Sequence, residues 1–563
     1  MENNLPRRRF QRGFPFVLFL AAMASCAAFP PRFTDHGSTW AAEPNWARAA
    51  EAKPPMTAPE ARAFMKRLAD YVVANHLKTD ERSPQRGLIY EYFWVAKKGT
   101  PQQWLQGEAL DTMHDGAWFA CAMVNAYRAT GDPFYKEVLT KWQLPFYLKM
   151  LNQGDELFTS ERNDAHPDKR NQWRNSPEWL LQGREKGFAP YWWDDGAAVS
   201  LERSLSKQPL AYYPARDDLA GRPNPDYRLS GYSLGSSNHE AQDLACMLQL
   251  AWLLLREGDG ADDKRLAAEV AAAARNLQDC RARHGSAAIP AVLAADGLAN
   301  QDEARLARIP EETWISVLEA KNHYRSALAM KAGQKSSTPG FADDQQYHYY
   351  SGLARSGTLA EPLAFRVVCD PYVEAKMFDA YYDDAPRPAG VNRFDLYPFN
   401  YVDGRPEHLR SQRKGPNQGP VPIGSRMGPQ NMICCGWALQ ALRAYPELWR
   451  KGLEEAAGRK IPIASLGLTG ADGSPLTSEQ ITRWHQRELG GGLRTWEAIW
   501  DEYGYIPTGI GCQGVVGDTR FDAFSDTGGY AHLISAAAQW ILYLERKNDW
   551  EIHQLPRIPP LEK

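Results

Sequence analysis

The residues with the clearest chemical potential are Asn238, His239 and Glu240, in the run G-S-S-N-H-E-A-Q-D-L-A-C-M-L-Q-L-A-W over 235–252. An amide, an imidazole and a carboxylate stand side by side. On a rigid element such a trio can do proton-transfer chemistry. The element that must hold them is a helix. Leu244, Met247, Leu248, Ala251, Trp252 and Leu255 recur at three- and four-residue spacing. Ser236, Ser237 and Asn238 are competent caps, and Glu240 and Asp243 suit the positive end of the helix dipole. A cap with one surface histidine is the plainer alternative for the same residues.

The pattern recurs along the chain. Several of the more apolar helical stretches open with acids, amides or histidine: His114-Asp115-Gly116, Asp194-Asp195-Gly196, Asn238-His239-Glu240, Asp343-Asp344, Gln430-Asn431 and Ser525-Asp526. One such opening is a cap. Six of them predict inner helices that run in one direction and collect their N-termini on one rim. Helical periodicity marks 58–77, 111–130, 134–151, 192–205, 238–256, 264–283, 310–332, 343–354, 371–382, 430–445 and 526–546. Gly131-Asp132-Pro133 joins the second and third as a hairpin. Strand-like alternation is sparse, and 83–106 reads as aromatic and turn-rich. Long connections at 158–190 and 387–428 are of the kind that carries function. The expectation is one all-α toroidal domain of helical hairpins over 56–546, without a strict-period repeat.

Composition sets the class. The chain has 563 residues, 44% hydrophobic and 24% charged, with 19 Trp and 25 Tyr. Rings in that number suit a sugar-binding cleft as well as a large core. Residues 1–28 read as an export signal: Arg7, Arg8, Arg9 and Arg12 precede an apolar run over 14–24 and small residues. That run is too short for a permanent span. Cys26 after Met23-Ala24-Ser25 offers lipoprotein anchoring as an alternative to ordinary cleavage, so the address is periplasmic or extracellular. Residues 29–55 read as a flexible lead-in and 547–563 as a C-terminal tail. Without the leader the formal charge moves from −3 to −6, because four Arg and one Glu leave. A mildly acidic exported chain is a poor nucleic-acid binder. The basic run 405–414 is a local exception that suits an anionic ligand or a solvated loop.

Seven cysteines follow the leader, at spacings that match neither a zinc site nor a disulfide framework. Cys121 and Cys246 fall in apolar helices and read as buried thiols, and Cys434-Cys435 as packing. No metal centre or cofactor is expected, although Asp383-Asp384 could hold structural calcium. Gly490-Gly491-Gly492 lacks the strand and Lys of a phosphate loop.

Three stretches together resemble the α/α-toroid carbohydrate-active enzymes, the barrel-type glycoside hydrolases and polysaccharide lyases. They are D-T-M-H-D-G-A-W…A-Y-R-A-T-G-D-P-F-Y, the W-W-D-D-G helix start, and the last helix S-D-T-G-G-Y-A-H-L. The resemblance implies the toroid and a polysaccharide or oligosaccharide substrate. By resemblance to alginate-type lyases, Asn238 would bind a uronate carboxylate and His239 would take the C5 proton. A tyrosine from D-D-Q-Q-Y-H-Y-Y would be the acid, with Tyr349 flanked by Tyr347, His348 and Tyr350. Arg325 or Arg393 would hold a second acidic group. The lyase pattern has a further Asn where Ser237 stands here. The alternative is hydrolysis by paired carboxylates drawn from Asp115, Asp194, Asp195, Glu240, Asp243 and Asp526. In either case His114, Asp194, Trp193, His348, Tyr347 and Arg393 would line the substrate cleft. A toroid that binds glycan without cleaving it is the third reading.

Overall fold

A computed structural model describes residues 49–79, 86–89, 92–95, 104–108, 112–153, 186–187, 239–284, 361–381, 389–390, 423–424, 427–506, 509–510, 524–547 and 558. Those residues are mostly helical. The expected elements at 192–205, 310–332 and 343–354 lie outside them, as do the leader, Asp383-Asp384 and the basic run 405–414.

In chain order the elements are α1 (Ala58–Asn75), β1 (Tyr92–Val95), β2 (Trp104–Glu108), α2 (Thr112–Thr130), α3 (Pro133–Val138) and α4 (Leu144–Gln153). A π-helical turn, Leu139–Gln143, joins α3 to α4. Next come α5 (His239–Arg256), α6 (Ala261–His284), α7 (Glu361–Tyr381), β3 (Ile423–Gly424), α8 (Met427–Ala444), α9 (Leu448–Gly458) and α10 (Ser478–Gln486). The chain continues through a π turn, Arg487–Gly491, into α11 (Gly492–Tyr503), β4 (Gly509–Ile510), β5 (Phe524–Asp526) and α12 (Thr527–Leu544).

Local chemistry explains the boundaries. Thr57 opens α1 with a capping box completed by Glu60. Asp132 accepts from the Phe134 N–H, and Pro133 supplies the first position of α3. Gly504, at φ 77°, closes α11 in the left-handed conformation that glycine tolerates best. Where periodicity places a helix start at Pro371, α7 instead begins at Glu361 and carries that proline inside. The helices α9, α10 and α11 are additions to the expected set, and so are the strands in and after the aromatic stretch 83–106.

Helix direction can be read from side-chain rungs. Between α2 and α12, Trp118 meets His532 with ring centroids 4.1 Å apart. Further along, Asn125 Nδ2 donates to Ser535 Oγ at 3.2 Å, and Lys547 Nζ donates to Ala129 O at 3.3 Å. Both numbers rise together, so the helices are parallel. Between α12 and α8, Gly436 lies against Gln539, and Arg443 reaches the carbonyls of Tyr543 and Lys547. These two helices are parallel as well. The direction of α5 follows through its neighbours. Gln143 Nε2 donates to Gly116 O, so the α3–α4 segment runs back along α2. Lys136 pairs with Asp263, and Asn152 donates to Glu269 O, so α6 runs with α3–α4. A four-residue link folds α6 back on α5, which returns α5 to the direction of α2.

The result is a layer of four parallel helices in the spatial order α5, α2, α12, α8. A second layer runs the other way. Trp540 Nε1 donates to Met56 O at one end of the α1–α12 pair, while His76 meets Thr527 at the other. Gln486 Nε2 donates to Tyr543 OH, whereas Ile506 N donates to Tyr530 OH, so the α10–α11 segment also opposes α12. Helix α12, the last in sequence, packs beside α2. Helix α12 is enclosed on every side: Thr527 to Leu542 are all buried. Glycine permits two close approaches here. A Cβ on Gly490 would sit 2.5 Å from the Trp540 ring, and one on Gly436 2.6 Å from Gln539 Cβ. The Gly490-Gly491-Gly492 run thus includes packing glycines.

Strands lead into the inner helices at their N-terminal ends. The sheet order is β2-β1-β5, with β1 antiparallel to both neighbours. It follows that β2 and β5 are parallel, and they feed α2 and α12. In a second antiparallel pair, β3 with β4, it is β3 that precedes α8.

Burial also fixes a titration. His485 is wholly buried between α10 and α7, and a ring nitrogen bonds Val368 O at 2.9 Å. Desolvation of the charged form lowers its pKa from 6.5 to about 4. The unfolded chain therefore binds this proton first. Stability should fall as pH drops from 6.5 towards 4, by on the order of 3 kcal/mol, and level off below. Urea unfolding of His485→Gln across that range checks this expectation, because the variant should lack that part of the slope.

Candidate functional site

The common N-terminal end of α5, α2, α12 and α8 is the candidate site. Each helix turns the positive pole of its dipole to this end. Four such ends on one rim favour an anion. The sequence adds chemistry to the field. His114 and Asp115 lie in the first turn of α2, and His239 and Glu240 begin α5. Asn431 lies in the first turns of α8, and Asp526 immediately precedes α12. In these four parallel helices the openings that carry His114-Asp115, His239-Glu240, Asn431 and Asp526 lie at the same end of the layer.

The placement of the individual candidates differs. Asp115 is 0% exposed, a carboxylate sealed within the first turn of α2. His114, His239, Glu240 and Asp526 are placed by their backbone at the rim. Asn238, Trp193, Asp194, Asp195, Tyr347, His348, Tyr349 and Arg393 lie outside the described residues, as do Arg325, Tyr350 and the pair Asp343-Asp344. Asn431 is nearly buried, at 8% exposure.

Two groups at this end have no counterpart in the sequence reading. The first is the start of the seam between α2 and α12, where Trp118 stands edge-on to buried His532. The second is a buried hydroxyl and imidazole network below β5. His76 Nε2 lies 2.9 Å from Ser525 Oγ, and His76 Nδ1 lies 2.7 Å from Thr527 Oγ1. Ser525 Oγ is also 3.0 Å from Tyr530 OH, which accepts from Ile506 N at 2.9 Å. Tyr71 stacks on Tyr530 at 5.2 Å, and burial raises the pKa of both phenols. His76 and Ser525 are 449 positions apart, so no local pattern announces the pair. In 525–527 alone the visible signal is the alternation Ser-Asp-Thr.

Among the described residues no three His, Cys, Asp or Glu side chains cluster in a way that would hold a metal ion. No helix among them is long and apolar enough to cross a membrane. Cys121, Cys246, Cys369, Cys434 and Cys435 are buried, in keeping with packing roles. No family model, curated protein or solved structure matches the chain.

Proposed function

We propose that the chain is an exported enzyme that cleaves an acidic, uronate-containing polysaccharide or oligosaccharide by β-elimination at the rim, on an α/α-toroid scaffold. The observation that carries this reading is the shared direction of α5, α2, α12 and α8. It brings His239 and Glu240 to the same end as His114, Asp115, Asn431 and Asp526. A parallel inner layer backed by antiparallel outer helices is what a toroid of hairpins requires.

The chemistry follows from the residue types. Helix ends attract the uronate carboxylate, and Asn238 as an amide donor stabilises negative charge that develops beside the sugar C5. Neutral His239 takes the C5 proton near neutrality. Tyr349 returns a proton to the departing glycosidic oxygen, leaving a C4–C5 double bond in the product. The sealed position of Asp115 suits a structural charge at a helix N-terminus better than a carboxylate that meets water and sugar. This favours elimination over the hydrolytic alternative, which would then fall to Asp195 and Glu240.

A panel of acidic and neutral glycans decides the matter. Elimination yields an ultraviolet-absorbing unsaturated uronate together with new reducing ends. Reducing ends without that absorbance would overturn elimination in favour of hydrolysis. Binding without cleavage of any glycan would leave a carbohydrate-binding toroid.

A further inference from the structure

His76 is a fully buried imidazole that the proposed chemistry does not use. It stands at the C-terminal end of α1, and its two ring nitrogens meet two hydroxyls that flank a single residue. Those hydroxyls, on Ser525 and Thr527, bracket Asp526 at the junction of β5 and α12. The bracket is reinforced from the other side. Ser525 is tied to Tyr530 in the next turn of α12, and Tyr530 to the backbone of Ile506 after α11. Thus α1, β5, α12 and the end of α11 converge on one polar knot. Ser525 is also paired with Phe93 of β1, and β1 with β2, the strand before α2.

We propose that His76 is a positioning residue for the rim: by holding Ser525 and Thr527 it fixes Asp526 and, through β5, β1 and β2, the relative placement of the α12 and α2 openings. The knot is sited for that task. All of its side chains except Tyr71 are buried, so water does not replace a lost bond there. Both hydroxyls are short-tethered, and a threonine has few rotamers to explore. Loss of either bond removes a buried contact that holds β5, the strand linked through β1 to β2 and so to the α2 opening.

The role in catalysis rests on the function proposed above, but the mechanical claim does not. The test therefore has two readouts. Amide hydrogen exchange is measured on the full chain for wild type, His76→Ala, Ser525→Ala, Thr527→Val and Thr527→Ser. The expected result is at least tenfold faster exchange over 92–95, 104–108 and 524–526 in the first three variants, with α8 and α9 unchanged. Thr527→Ser keeps the hydroxyl and should exchange like wild type. The single-hydroxyl variants carry the test if His76→Ala does not fold. Unchanged exchange in all of them overturns the clamp.

On a glycan that wild type cleaves, kcat should fall about tenfold in Thr527→Val with KM nearly constant, and recover in Thr527→Ser. Faster exchange with unaltered kcat would overturn the positioning role while leaving the clamp. If wild type cleaves no glycan, the enzymatic reading falls, and the exchange experiment still decides whether His76 organises the sheet.

Discussion

His239→Ala should lower kcat on an acidic glycan by about a thousandfold, the range expected when a general base is removed, with little change in thermal stability. The expectation follows from where the residue lies. His239 is the first residue of α5, at the polar end of a helix whose stability comes from the packed face bearing Leu244, Met247, Leu248 and Ala251. Truncation at a helix end, away from that face, typically moves stability by no more than about 0.5 kcal/mol. Glu240, the next residue, is no equal substitute, because a carboxylate ionises well below neutrality in its ordinary state and is a weaker base than imidazole. The wild-type rate should rise through the imidazole range, near pH 6.5, and the variant should lose that inflection. Asn238→Ala should lower kcat as well while leaving the inflection, since it removes charge stabilisation and not the base. Full activity of His239→Ala, with unsaturated product, would take the base away from this residue and reopen the choice among the rim histidines.

The sequence made some of this arrangement legible and hid other parts, for reasons that differ by element. Helices α1, α2, α5, α6, α8 and α12 are long enough for several turns of apolar spacing, and the expected bounds agree to within a few residues. Helix α7 was legible only from Pro371 onward, because proline reads as a start even where a packed helix accommodates it. The short helices α9 and α10 bury only one stripe each, and their charged residues dominate the pattern. The capping box of α10, Thr477 with Gln480, was nonetheless present in the sequence as T-S-E-Q. Strands of three to five residues are too short to show alternation. For the site, the acids and amides at helix openings were visible in the sequence. The burial of Asp115 and the bond between His76 and Ser525 depend on contacts across the whole chain, which no local window contains.

Trp496→Ala should be the most costly single truncation, about 3–5 kcal/mol from lost burial and the cavity left behind. Trp496 lies on α11 with 0% exposure and is the largest of the fully buried side chains among the described residues. Its indole N–H also donates to Gly390 O at 2.8 Å, so the alanine variant removes the donor of a buried bond as well. Gly390 is held on both sides of its peptide, because its N–H donates to buried Glu488 at 3.1 Å. Its φ of 69° and the 2.4 Å that a Cβ would leave to Gly492 Cα make this point of the chain intolerant of movement. Three residues later comes Arg393, expected to hold an acidic group of the substrate. The tryptophan thus ties the outer layer to the origin of the 387–428 connection. Trp496→Phe should recover most of the packing but not the hydrogen bond. Chemical denaturation should show a shifted midpoint with an unchanged slope for both variants, larger for alanine. If Gly390 anchors the position of Arg393, KM for the acidic glycan should rise in both variants while kcat is largely kept, since His239 sits on a different helix. A phenylalanine variant with wild-type KM would show that the bond to Gly390 serves the core alone, and that the substrate arm is set by residues further along the connection.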